Sequence, residues 1–185
     1  MTLGRISISP GFLLLISWLN YIDRQGVLWW GLLSCAAHEA GHLLILRHLK
    51  KHVKVIYITI FGATIVIDDN LSYGQELVSA IAGPAVNLVL ATVMCRIPGG
   101  EWIAGLNFAL GCFNLLPFGQ LDGGRFLSCL VNLFTKSGAG ERVVCAVSWL
   151  VGSMAAGVGI ILWRAGGNLT LLLMAAWICC AMGKR

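Results

Sequence analysis

Long apolar stretches make up most of this chain, and its polar residues gather in the short connections between them. A helix needs about 20 predominantly apolar residues to cross the hydrocarbon core of a bilayer. By that measure the sequence predicts about six spans: Ile6–Ile22, Val27–Leu49, Tyr73–Cys95, Trp102–Phe118, Val143–Trp163 and Leu169–Met182. Gly and Pro inside several of them are compatible with membrane helices, where neighbouring groups satisfy the freed backbone. One connection has a different rhythm. Residues Val53–Asp69 are dense in β-branched and aromatic side chains around a central Gly62, which is a strand–turn–strand pattern. The segment is too short to cross as a helix and too apolar for an ordinary loop, so a hairpin lying in or against the cytoplasmic leaflet is expected. The expected fold is an all-α membrane protein: a bundle of about six transmembrane helices with a small membrane-associated β-hairpin, one domain over residues 1–185. The sequence has no evident internal repeat, low-complexity tract or appended soluble domain.

Composition supports a membrane setting. The 185 residues are 58% hydrophobic and 11% charged, with mean hydropathy +0.84. A soluble domain of this size cannot hide that much apolar surface. The net charge of +5 would raise nucleic acid as a partner, but the Lys and Arg residues lie in the connections rather than on one basic, aromatic-interleaved face. That arrangement reads as membrane topology, and no nucleic-acid partner is expected. With both termini in the cytoplasm, ten of the 13 Lys and Arg residues fall inside, and Arg24, Arg96 and Arg164 fall outside. The excess is the one cytoplasmic connections carry, which gives a multi-pass cell-membrane protein. Seven scattered cysteines, none in paired C-x-x-C motifs, read as small apolar residues packing between helices. Arg5 and the run Phe12–Leu19 resemble the start of a signal peptide, but Asn20–Arg24 is no small-residue cleavage site, so the first run is expected to be retained.

The candidate chemistry lies within the second span. His38-Glu39-Ala40-Gly41-His42 is an H-E-x-x-H sequence. Helical positions four apart lie about 40° apart around the axis, so both imidazoles can reach one metal ion. Glu39 projects about 100° away from His38, where it can hold an attacking water. Zinc hydrolases use this motif with the glutamate as general base. Three ionisable residues on one turn are expensive in a bilayer unless partnered, which argues against a polar network without a metal. Catalytic zinc usually has three protein ligands and one open position. His48 and His52 stand among Lys50, Lys51 and Lys54 and read as solvated. Asp122 follows the fourth span, and the charge-derived topology brings it to a depth similar to that of the histidines. It is therefore the expected third ligand; the bland alternative for Asp122-Gly123 is a plain turn.

These residues resemble the site-2 protease family of intramembrane metalloproteases, over nearly the whole chain. The likeness rests on HEAGH at 38–42, on Ala82-Gly83-Pro84-Ala85-Val86-Asn87, and on Asn114, Pro117, Asp122 and Gly123. The spacing and the six-span plan look most like the stage IV sporulation protein FB branch. The resemblance implies zinc held by His38, His42 and Asp122, with Glu39 as base. It also implies substrate contacts at Asn114 and Pro117, and a helix break beside the site at Gly83, Pro84 and Asn87. Members of that branch often carry a C-terminal nucleotide-sensing domain, whereas this sequence stops at Arg185. Substrate selection is then expected to be absent or supplied by a separate regulatory or inhibitory membrane protein.

The function expected is hydrolysis of a peptide bond in a membrane-embedded or juxtamembrane protein, near the cytoplasmic face. Two rivals come from other classes. A metal-handling transporter would spread polar residues along a path through the bilayer, whereas here they cluster at one depth. A non-proteolytic binder of membrane helices would have no use for Glu39 as a base.

Overall fold

The computed structural model describes residues 5–60, 62–119, 121–135, 138–164 and 166. The chain forms two compact units, Met1–Asn114 and Leu115–Arg185. The predicted span Leu169–Met182 lies outside the described residues.

The first unit opens with strand β1 (Arg5–Ile8) and helix α1 (Pro10–Ile22), where one span was expected over Ile6–Ile22. The break between them is local. Pro10 sits in the first turn of α1, and the residue before a proline is pushed toward extended backbone. Ser9 then caps the helix, its hydroxyl accepting from Phe12 N–H at 3.2 Å. At 13 residues, α1 reaches roughly 20 Å, short of the hydrocarbon thickness.

Helix α2 (Val27–His48) carries HEAGH. Its N-cap, Gly26, has no side chain to offer and stands at φ +72°. Asp23 caps the helix instead: its carboxylate accepts from Gln25, Val27 and Leu28 N–H, the last at 2.7 Å. These bonds, led by that from Leu28, hold the Asp23 carboxyl below its usual 3.8 against a smaller opposing effect of desolvation.

The expected hairpin is present as β2 (Val53–Thr59) and β3 (Gly62–Ile67). It belongs to a three-stranded sheet in the order β1-β2-β3. β1 runs parallel to β2, with Ile6 opposite Ile56, and β2 runs antiparallel to β3, with Ile56 opposite Ile65. Leu46 of α2 forms a small apolar core with Val53 and Ile56, flanked by Ile58, Ile65 and Ile67. The sheet therefore sits against the end of α2, one turn beyond His42.

Helix α3 (Tyr73–Met94) begins with a capping box in which Ser72 and Gln75 each bond the other's backbone N–H. It runs unbroken through Pro84, so the break expected at Gly83, Pro84 and Asn87 does not occur. Pro84 removes one helical hydrogen bond, a loss that a packed membrane helix tolerates. Helix α4 (Glu101–Asn114) stops four residues short of the span expected over Trp102–Phe118.

In the second unit, α5 (Asp122–Phe134) occupies what read as a cytoplasmic connection, and α6 (Ala139–Arg164) covers the span expected over Val143–Trp163. Gly140, Val144, Ser148 and Gly152 recur every four residues as the buried stripe of α6. A Cβ at Gly140 would run into the backbone at Ser128 of α5, so the two helices approach closely there.

Among the described residues, α3 and α6 are long and apolar enough to cross a membrane. α2 matches α3 at 22 residues, but His38, Glu39 and His42 lower its mean hydropathy. The structure is thus mostly helical with a small sheet, and its described residues do not reproduce a bundle of six full spans.

Candidate metal centre

The first unit builds a histidine pair on α2 and braces it from α3. His38 and His42 are four residues apart on α2, and both are buried. Their Nε2 atoms face one another at 3.2 Å. Each Nδ1 is engaged elsewhere. His42 Nδ1 lies 2.8 Å from the carbonyl oxygen of Ser79, and a carbonyl only accepts, so Nδ1 carries the proton. His38 Nδ1 lies 2.6 Å from Asn87 Oδ1, also an acceptor. With the proton on Nδ1, each ring can turn an Nε2 lone pair into the same space.

At 3.2 Å the two Nε2 atoms are close enough to ligate one cation together. Tetrahedral zinc with His ligands at 2.0–2.1 Å sets those nitrogens roughly 3.3 Å apart. The pair thus fits zinc in donor type, protonation and spacing. The surroundings keep the space open. A Cβ on Gly83 of α3 would collide with Nε2 of both rings, and one on Gly41 would come within 2.7 Å of Ala82 O. Both glycines are required by the close crossing of α2 and α3.

Glu39 is half-buried on the same turn of α2 as the histidines. His48 and His52 are exposed, as expected of solvated residues. Asn87 is fully buried: its Oδ1 serves His38 and its Nδ2 donates to Ser34 O and Asn107 Oδ1. Gly83 and Asn87 thus lie along the histidine side of α3, and Pro84 between them is buried. Asn114 ends α4, its Nδ2 donating to Leu110 O at 3.0 Å.

In the second unit, Asp122 opens α5 and is buried. The positive end of a helix favours a carboxylate there, and Arg125 stands 3.6 Å away, one turn on. Cβ atoms on Gly123 and Gly124 would collide with the backbone at Leu115 and Phe118, so the loop that follows Asn114 folds tightly against the start of α5. The Pro117 carbonyl in that loop accepts from Ser148 Oγ of α6 at 3.2 Å.

Sequence reasoning missed Ser34, Ser79 and Asn107. An amide in the middle of an apolar span, as at Asn107, was a readable signal, because such groups are costly without partners. Ser79 acts through its backbone carbonyl, which no side chain announces.

The same fold is found in a solved site-2 protease. The chain superposes on the site-2 protease from Methanocaldococcus jannaschii with TM-score 0.71 at 21% identity, covering 100% of this chain and 92% of that one. Residues 100–156 match the model of peptidase family M50. The sequence is 40% identical over 111 residues to a protein of Synechocystis, covering 53% of this chain and 29% of that one. It is 30% identical over 159 residues to Rip3 of Mycobacterium tuberculosis, covering 78% and 36%; both are named putative zinc metalloproteases. The zinc metalloprotease MJ0392 of Methanocaldococcus jannaschii is 27% identical over 138 residues, covering 65% and 40%. The chain spans between 29% and 40% of the length of these relatives. The chain is thus similar in part of its length to peptidase family M50 and to proteins named zinc metalloproteases.

Proposed function

We propose that this chain is an intramembrane zinc metalloprotease that cuts a membrane-embedded or juxtamembrane protein near the cytoplasmic face. The facing Nε2 atoms of His38 and His42 carry the reading. They form a buried pair, oriented by hydrogen bonds at each Nδ1, beside a glutamate. His38, His42 and Asp122 are the metal ligands; each is buried and each offers one ligand atom. Zinc, when bound, supplies the Lewis acidity that brings the pKa of a held water to about 7 and polarises the scissile carbonyl. Glu39 takes the proton of the attacking water and delivers it to the leaving amine nitrogen. Asn114 and Pro117 are the substrate contacts, and Gly83, Pro84 and Asn87 of α3 contribute to substrate binding on the side of the histidines.

The substrate must be opened before it is cut, because a helical peptide bond is shielded by its own hydrogen bonds. The exposed backbone groups of an opened segment cost several kcal/mol each in lipid, so they need new partners. β3 is an outer strand of the sheet and offers such an edge. The protein is multi-pass with both termini cytoplasmic, and a separate membrane protein regulates it. The sequence pattern favours the stage IV sporulation protein FB branch, and with it regulated intramembrane proteolysis. The test is Glu39→Gln with a tagged membrane substrate: this variant retains zinc and loses cleavage, because it removes a base and not a ligand. Cleavage at the wild-type rate would overturn the mechanism.

A further inference from the structure

Asn107 is fully enclosed in α4, at 2% exposure, and the proposed mechanism makes no use of it. A buried amide in an apolar helix needs its hydrogen bonds met, and here they are met in an order with a direction. Asn107 Nδ2 donates to its own helix, at Ile103 O, and to Ser34 Oγ of α2, both at 3.0 Å. The Ile103 carbonyl only accepts, so it fixes which end of the Asn107 amide is nitrogen. Asn107 Oδ1 must then face Asn87, where it accepts from Asn87 Nδ2 at 2.9 Å. Asn87 Nδ2 also donates to Ser34 O at 3.2 Å, so two acceptors hold that nitrogen away from α2's imidazole. Asn87 Oδ1 is thereby the end presented to His38, at 2.6 Å. An acceptor there keeps the proton on Nδ1 and the lone pair on Nε2.

We propose that Asn107 is a positioning residue which sets the tautomer of His38 through Asn87 and so prepares Nε2 to bind the metal. If Asn87 turned its amide over, it would aim Nδ2 at the ring. The proton would then move to Nε2, the atom that must ligate. The Nδ1 partners of metal-binding histidines act in this way and are worth 10–100-fold in affinity. Asn107 extends the control one residue further, from a backbone carbonyl of α4 to a ring on α2.

The inference rests on the zinc reading above, and its test separates the two. In Asn107→Leu, zinc affinity measured by chelator competition on the full chain falls about 10-fold or more, with helix content unchanged. In the metal-free protein, the 15N signature of labelled His38 shifts from the Nδ1–H tautomer toward a mixture. In an Asn87→Leu background, Asn107→Leu weakens zinc no further, because it acts through Asn87; a residue that only packs would add its cost independently. Asn107→Ala, which cannot overfill the site, gives the same readings if the leucine variant does not fold. Wild-type zinc affinity with an unchanged His38 signature, or fully additive losses, would overturn the proposal. If the wild-type protein binds no zinc while the His38 signature still depends on Asn107, the metal reading fails and the role of Asn107 in setting the ring stands.

Discussion

Gly83 faces two ring nitrogens, and that position separates helix stability from function. Alanine favours a helix interior over glycine by roughly 1 kcal/mol, so Gly83→Ala stabilises α3 when that helix is considered alone. Its Cβ, however, would enter the space shared by His38 and His42. The expected outcome is a helix content at least equal to wild type with zinc affinity reduced by 10-fold or more, the range of a disturbed metal shell. Metal analysis beside far-UV circular dichroism checks it, and undiminished zinc would mean that the rings can move aside. Asp122→Ala removes a proposed ligand outright, so its loss exceeds the roughly 100-fold of outer-shell changes; retention close to wild type by the same analysis would mean that another residue completes the site. At this scale the sequence was most legible where chemistry is written in side chains. HEAGH announced both histidines, and their Nε2 atoms do face one another. What it could not announce was the partner of each Nδ1, because Ser79 contributes a carbonyl and Asn87 an amide from another helix.

Whole elements were legible where the signal was local. α2, α3 and the hairpin follow from runs, caps and β-branched density within one stretch of chain. β1 escaped because its pairing partner, β2, lies some fifty residues away, and a run of apolar residues does not reveal that its first turn is extended. α5 escaped because it is only 13 residues long and opens on Asp122-Gly123-Gly124-Arg125, so it does not read as a membrane span. The capping of α2 by Asp23 has a pH signature. Its carboxyl lies below the usual 3.8 in the folded chain, so the cap contributes stability above that value and loses it as pH falls through the folded one. Asp23→Asn should therefore lower the thermal midpoint at neutral pH, with the gap to wild type closing in acid; a gap constant down to strong acid would exclude the carboxylate as the cause. β3 carries the other element-scale expectation. If its edge holds the opened substrate, Ile65→Pro weakens cleavage roughly 5- to 30-fold, the worth of one or two hydrogen bonds, with zinc retained. Ile58→Pro does not test the edge, because β2 is the central strand and is paired on both sides. Cleavage by Ile65→Pro at the wild-type rate would leave the sheet as an anchor only.

At the scale of the whole molecule, the charge pattern makes a directional statement. In a cysteine-free background, a cysteine replacing Lys51 should react with an impermeant thiol reagent only from the cytoplasmic side, and one replacing Arg96 only from outside. Reaction of both from one face would refute the topology. Composition made the membrane legible, but not the number of crossings, because a short helix and a full span differ by a few residues at ends that hydropathy blurs. The distribution of buried groups carries a different lesson. Among the described residues, the largest fully enclosed side chains are Asn87, Asn107, Pro84 and Ser148, while leucines, valines and tryptophans are exposed. Seen as a record of what mutation can reach, this is an inverted protein. On its outer face one aliphatic residue can replace another over long divergence, since lipid asks only for greasiness. Its interior amides have no such synonyms: each must be the right shape and turned the right way. Sequence drift in this chain should therefore run fastest where an ordinary globular protein is most constrained, and its oldest letters should be the polar ones in the middle.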